Sequence, residues 1–261
     1  MNIIIKVFLR QHNFILLVAI IAGLCLPSVS KHGEGLIIPM LVCAMSLSLS
    51  RISLSEVLAP SHMFRPLVIS LSLNFLLLGG LNIALGYLMT NDPILRAGFV
   101  ILAAAPPSLT IPPFSYNLKG DIAISYIGTA GGYVAAIFIL PLLVYVFLGN
   151  EYSGNQLFVI LGQLIVLPLV LSQILRLSGL IKYTEKNTGW IINWCLAIVI
   201  FTLIGLNRDL LMTSSNLLVV TSLTAFITIF ALGELIFRIC RKLNVIPSKA
   251  ISYMLLGSMK K

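Results

Sequence analysis

The sequence predicts an all-α protein that crosses a lipid bilayer many times, and three observations carry that expectation. Hydrophobic residues fill 59% of 261 positions and charged residues only 10%, far below the roughly 25% charge content of soluble domains, and mean hydropathy is +1.05. The apolar residues fall into runs matching the about 17–25 residues that a helix needs to span hydrocarbon. Lys and Arg gather in every second connection between those runs, the bias that orients membrane helices. The net charge of +9 is therefore a matter of topology. Basic residues scattered through short loops make no patch for nucleic acid, and none is expected as a partner.

Taken in order, the runs cover 14–29, 36–49, 66–89, 94–118, 122–148, 156–175, 190–206 and 217–237, with a ninth starting at Ser248. Gly and Pro mark the joins at Pro27, Gly33, Gly35, Asp92-Pro93, Gly149-Asn150, Gly154, Gly189 and Pro247, where they punctuate regular structure. No linker separates two domains, so residues 1–261 read as one membrane body. Lys6 and Arg10 before the first run, with "LPSVS" at its end, also fit a secretory leader, so the first run reads either as a cleaved signal or as a span. With the N-terminus inside, twelve basic residues face the cytoplasm: Lys6, Arg10, Arg51, Arg65, Lys119, Arg176, Lys182, Lys186, Arg238, Arg241, Lys242 and Lys249. Three, Lys31, Arg96 and Arg208, face out. This asymmetry predicts a multi-pass protein of the cytoplasmic (inner) membrane.

Two segments resemble each other. "LRAGFVILAAAPPS" (95–108) lies over "SKAISYMLLGSMKK" (248–261), each opening on a basic residue and Ala and closing on small residues before a polar break. Five spans separate the copies, and an odd number inverts the second relative to the first, an architecture common in secondary transporters. The first unit then covers 1–149 and the second 150–261, and on this reading the second is incomplete at Lys261.

The fourth run is interrupted by "AAAPPSLTIPPFSYNLKGD" (103–121). Pro106, Pro107, Pro112 and Pro113 lack an N–H and disfavour helix in the residue before them, so the run is expected to unwind at mid-depth. Freed carbonyls and the hydroxyls of Ser108, Thr110 and Ser115 then form a polar site, because non-helical backbone persists in a bilayer only where protein or water satisfies it. "GTAGG" (128–132) is a small-residue face suited to close packing against that break. Glu234 and Arg238, spaced i and i+4, read as a structural pair. His12, His32 and His62 stand in loops without metal or catalytic spacing, the four cysteines show no paired motif, and no nucleotide or nucleophile motif occurs. A membrane-embedded enzyme or sensor would need a catalytic cluster or an appended domain.

The segment 105–129, "APPSLTIPPFSYNLKGDIAISYIGT", with "RPLVISLSLNF" (65–75) and "AISYMLLGSMKK" (250–261), resembles the bile acid:sodium symporter family. The resemblance implies a ten-helix inverted-repeat fold (five plus five) with a panel domain and a core domain holding two crossing broken helices. It implies a secondary transporter, not an enzyme, that carries a small organic solute, an organic anion, by alternating access. Asn74, Ser125 and Thr129 match positions that bind sodium in that family. The family's Ser-Asn pair falls instead at Ile111-Pro112, its acidic residue near Leu256-Gly257, and its Gln-Asn at Lys260-Lys261. Hard cations take oxygen ligands, so these departures speak against the usual two-sodium arrangement. Lys260, level with Pro107 in the repeat, is expected to replace a coupling cation or to exchange a proton. The alternative is therefore a proton-coupled or uncoupled permease of the same fold, with no cofactor beyond a coupling sodium ion or proton.

Overall fold

The computed structural model describes residues 12–50, 64–148, 163, 166–179 and 188–260. Lys6, Arg10, Arg51, His62, Lys182, Lys186 and Lys261, and part of the sixth run, lie outside the described residues. In chain order the helices are α1 (His12–Cys25), α2 (Pro27–His32), α3 (Ile37–Leu49), α4 (Phe64–Leu71), α5 (Gly80–Met89), α6 (Pro93–Ala104) and α7 (Ile111–Asn117). They continue as α8 (Ile122–Leu148), α9 (Leu167–Leu177), α10 (Thr188–Leu206), α11 (Arg208–Thr213), α12 (Ser215–Phe226), α13 (Leu232–Lys242) and α14 (Pro247–Leu256). Wider π-helical turns, Ser72–Gly79 and Ile227–Ala231, join α4 to α5 and α12 to α13. The results are continuous rods over Phe64–Met89 and Asn216–Lys242.

Those two rods, α8 and α10 are the four helices, among the described residues, that are long and apolar enough to cross a membrane. Neither α8 nor α10 confines its apolar side chains to one side, and a helix with apolar residues all round belongs in lipid or a large core. Large side chains such as Leu76, Leu88, Phe138, Tyr145 and Phe230 point outward. Outward apolar surface on this scale marks a membrane-facing protein. The first run is not one helix. Pro27 removes the N–H that would continue α1 and opens α2 as its first residue, the position where a missing donor costs nothing. The eighth run reaches beyond 237 to Lys242, where Glu234 and Arg238 pair at 2.7 Å on an exposed face.

The chain divides into two compact units, Met1–Arg51 with Ile160–Leu218 and Ile52–Val159 with Val219–Lys261. In the first, α10 packs against α1, α2 and α3, and α9 packs against α3. Gly23 lets α1 touch α10, since a Cβ there would lie 2.7 Å from the Phe201 carbonyl. Ser30 Oγ donates to the Leu26 carbonyl at 3.2 Å and the Phe201 carbonyl at 3.4 Å, tying α2 to α10. In the second unit, α8 packs on α4, α6, α7 and α14. Its core gathers Leu78, Ile111, Ile124, Leu232, Ile236, Tyr253, Leu255 and Leu256. The second unit also contains the interruption between α6 and α7 and the segment that follows α14.

Candidate functional site

The first break is narrower than the four prolines suggest. The chain leaves helix at Ala105 and re-enters at Ile111. Pro112 and Pro113 do not unwind the run: they lie in the first turn of α7, where the N–H groups are without intrahelical partners in any case. Pro106 and Pro107 do the breaking. A helical carbonyl normally accepts from the N–H four residues on, which for Leu102 and Ala103 falls on the two prolines. Leu102 is rescued by the Ala105 N–H at 3.2 Å; Ala103 is not.

A second non-helical segment, 257–260, follows α14. It lies across the first, with Pro107 and Lys260 paired antiparallel and the Ser108 N–H donating to the Met259 carbonyl at 3.3 Å. Both α6 and α14 therefore end at this crossing with carbonyls open to side-chain donors, the negative ends of their dipoles. The Lys260 ammonium donates to the carbonyls of Ala103 and of Ala105, the latter at 3.0 Å, and stands 4.7 Å from the centroid of the Phe75 ring. At the other end, Asn74 Nδ2 donates to the Leu256 carbonyl at 2.9 Å. Both Asn74 and Phe75 belong to the π-helical turn Ser72–Gly79, a distortion frequent at functional sites.

Helix α8 closes the side of the crossing. A Cβ on Gly132 would lie 2.4 Å from the Pro107 ring, and one on Gly128 would lie 2.7 Å from Leu256. The small-residue face thus packs on the break at Pro107 and on the last turn of α14. On the same helix Ser125, Thr129 and Tyr133 follow at i, i+4 and i+8, so they share a face. All three are buried, and Ser125 Oγ, Thr129 Oγ1, Tyr133 Oη and Asn74 Oδ1 have no hydrogen-bond partner among the described residues.

This is unusual within the protein itself. Ser46, Ser70, Thr224, Thr228 and Ser258 all donate to the carbonyl four residues back, at 2.7–2.8 Å. Ser125 and Thr129 do not. Leaving a buried polar group unpaired costs about 1–3 kcal/mol, and unpaired groups of this kind point to a bound water, ion or ligand. Three of the four oxygens belong to residues singled out from sequence. Tyr133 does not; its signal was the continuation of the Ser125–Thr129 spacing by one more turn.

The other expected site residues have different settings. Ser108 Oγ and Thr110 Oγ1 lie 2.8 Å apart, and the Thr110 N–H donates to Ser108 Oγ at 3.3 Å. These hydroxyls shape the turn between the half-helices. Ser115 sits within α7, where its hydroxyl is 3.0 Å from Ser252 Oγ, which also donates to the Asp121 carbonyl at 2.8 Å. Ser115 therefore braces α7 against α14, apart from the contacts at the crossing. No cluster of His, Cys, Asp or Glu able to hold a metal occurs among the described residues.

The architecture defines a polytopic helical membrane protein with buried polar groups where the end of α6 meets the segment that follows α14. The chain belongs to the SBF-like CPA transporter family, whose model matches residues 10–261. This is a transporter family of the bile acid:sodium symporter type, as the resemblance over 65–129 implied, rather than a family of enzymes. No curated protein matches the chain.

Proposed function

We propose that the protein is a secondary active transporter that moves a small organic anion across the cytoplasmic membrane by alternating access around the crossed breaks. The observation that carries the proposal is the crossing itself. The end of α6 and the segment after α14 meet there, beside four buried oxygens that have no partner among the described residues. Such half-helix ends are the substrate and ion sites of transporters built from inverted repeats.

The inverted repeat is supported by registration. Under the offset that lays 95–108 on 248–261, Met89 at the end of α5 falls on Lys242 at the end of α13. The π-helical turn Ser72–Gly79 falls over the one at Ile227–Ala231, and Pro107 falls on its own pairing partner, Lys260. A segment that pairs with its counterpart is what a two-fold axis between repeats requires. A cytoplasmic N-terminus follows from the loop charges. The anionic nature of the solute is carried over from the resemblance to bile acid:sodium symporters, and the ammonium at the crossing favours it.

The test is counterflow in proteoliposomes holding the full-length protein, with a bile acid and smaller carboxylates and sulfonates as labelled solutes. Saturable exchange of at least one organic anion, reduced at least tenfold by Asn74→Ala in a protein that still folds, is expected. Exchange of neutral or cationic solutes alone would overturn the anion assignment. A second reading, a proton-coupled or uncoupled permease of the same fold, is favoured over sodium symport by Lys260 at the crossing.

A further inference from the structure

We propose that Lys260 is a tethered cation, whose ammonium fills the position at the end of α6 that a dissolved monovalent cation would otherwise take. The crossing then closes without a soluble coupling ion, a consequence for coupling that rests on the transporter reading above.

The position is built for positive charge. Pro107 leaves the Ala103 carbonyl without its helical donor, and the Ala105 N–H turns back to Ile101 and Leu102. The carbonyls of Ala103 and Ala105 therefore face the crossing at the negative end of α6. The face of Phe75 supplies a third attraction, 4.7 Å away, within the range for cation–π contact. Gly79 keeps the approach narrow but open, since a Cβ there would lie 3.0 Å from the Ala103 oxygen. Two carbonyl oxygens and a ring face accept a small cation as well as an ammonium.

The opposite half-helix shows that charge is not needed merely to cap an open end. There a neutral amide, Asn74 Nδ2, satisfies the Leu256 carbonyl. Under the repeat offset the counterpart of Asn74 is Ile227, which has no donor to offer Ala103. Lys260 takes over that task from the other break and brings a charge with it. Among the described residues no carboxylate pairs with that charge: the ion pairs are Arg208 with Asp209 and Arg238 with Glu234. The carbonyls and ring face of the first unit of the repeat are its counter-charge.

The experiment measures thermal unfolding of the purified full-length protein in detergent, in choline chloride and in equal concentrations of NaCl, LiCl or methylammonium chloride. The natural protein should unfold at the same temperature in all four salts. Lys260→Ala should unfold about 5–10 °C lower in choline and recover at least half of that loss in methylammonium or a small alkali cation. Lys260→Gln, which keeps a hydrogen-bond donor without charge, should show the same recovery if the alanine variant does not fold. Sodium raising the midpoint of the natural protein, Lys260→Gln matching it in choline, or neither variant responding to any cation would each overturn the proposal. None of these readings depends on transport, so failure here leaves the transporter assignment standing, and failure of transport leaves this result intact.

Discussion

Replacing Gly132 by Ala should loosen the crossing, and the loss can be estimated from one contact. The added Cβ would lie 2.4 Å from Cδ and Cγ of Pro107, roughly 1 Å inside the optimal separation of carbon atoms. A proline ring cannot swing aside, so relief must come from the paired backbone at Pro107 and Lys260 or from a shift of α8. Overpacking of this kind costs about 1–3 kcal/mol, and a rigid neighbour places this site at the upper end. Alanine is favoured over glycine inside a helix by about 1 kcal/mol, which leaves a net loss of about 2 kcal/mol. For a chain of this size that is a fall in midpoint of about 4–8 °C. Gly98 is the control: it lies in α6 with nothing within 4 Å of an added Cβ, so Gly98→Ala should gain about 2–4 °C from propensity alone. Differential scanning fluorimetry of both variants in one detergent reads the difference directly. Equal midpoints for the two would show that α8 does not press on the break, and the packing of the site would have to be redrawn.

Other outcomes follow from the same geometry. Thr129→Val and Tyr133→Phe remove hydroxyls that have no partner among the described residues, so each should leave the midpoint unchanged or higher while lowering counterflow at least fivefold. A drop in stability with normal exchange would mean these groups bind neither ion nor solute. Cysteines placed at Lys31, Asn91 and Thr213 should react with an impermeant maleimide in intact cells, and one at Asn244 only after permeabilisation. Asn150 joins the first set, and Ser55 and Lys182 the second, although these three lie outside the described residues. Labelling of Asn244 in intact cells would reverse the orientation.

The sequence displayed the membrane class, the interruption of the fourth run and the residues around Asn74, Ser125 and Thr129. It misjudged how far the interruption extends, and the reason is physical. A proline removes one N–H wherever it stands, but the loss matters only where a helical partner was waiting. Pro106 and Pro107 follow a helix and strand its carbonyls; Pro112 and Pro113 open a helix and strand nothing. Pro27 acts in the same way at the end of the first run.

Backbone acceptors were harder to see. The partners of Lys260 and Asn74 are carbonyls of Ala103, Ala105 and Leu256, and a carbonyl has no letter in the sequence. The π-helical turns at Ser72–Gly79 and Ile227–Ala231 carry no proline that would mark them in the sequence. Tyr133 was legible by spacing, yet a tyrosine in an apolar helix usually reads as an interfacial aromatic.

The contacts that finish the crossing join residues far apart in the chain: 157 positions separate Lys260 from Ala103, and 182 separate Leu256 from Asn74. Synthesis runs at about 5–20 residues per second, so the carbonyl of Ala103 waits about 8–30 s for its donor. For that interval a stretch of unpaired backbone has to be kept out of hydrocarbon. The first break must therefore enter the bilayer late, after α14 is made, or be held by water or an insertion factor until then. The crossing is therefore completed from α14 backwards: only when that helix and Lys260 have emerged can the fourth run settle.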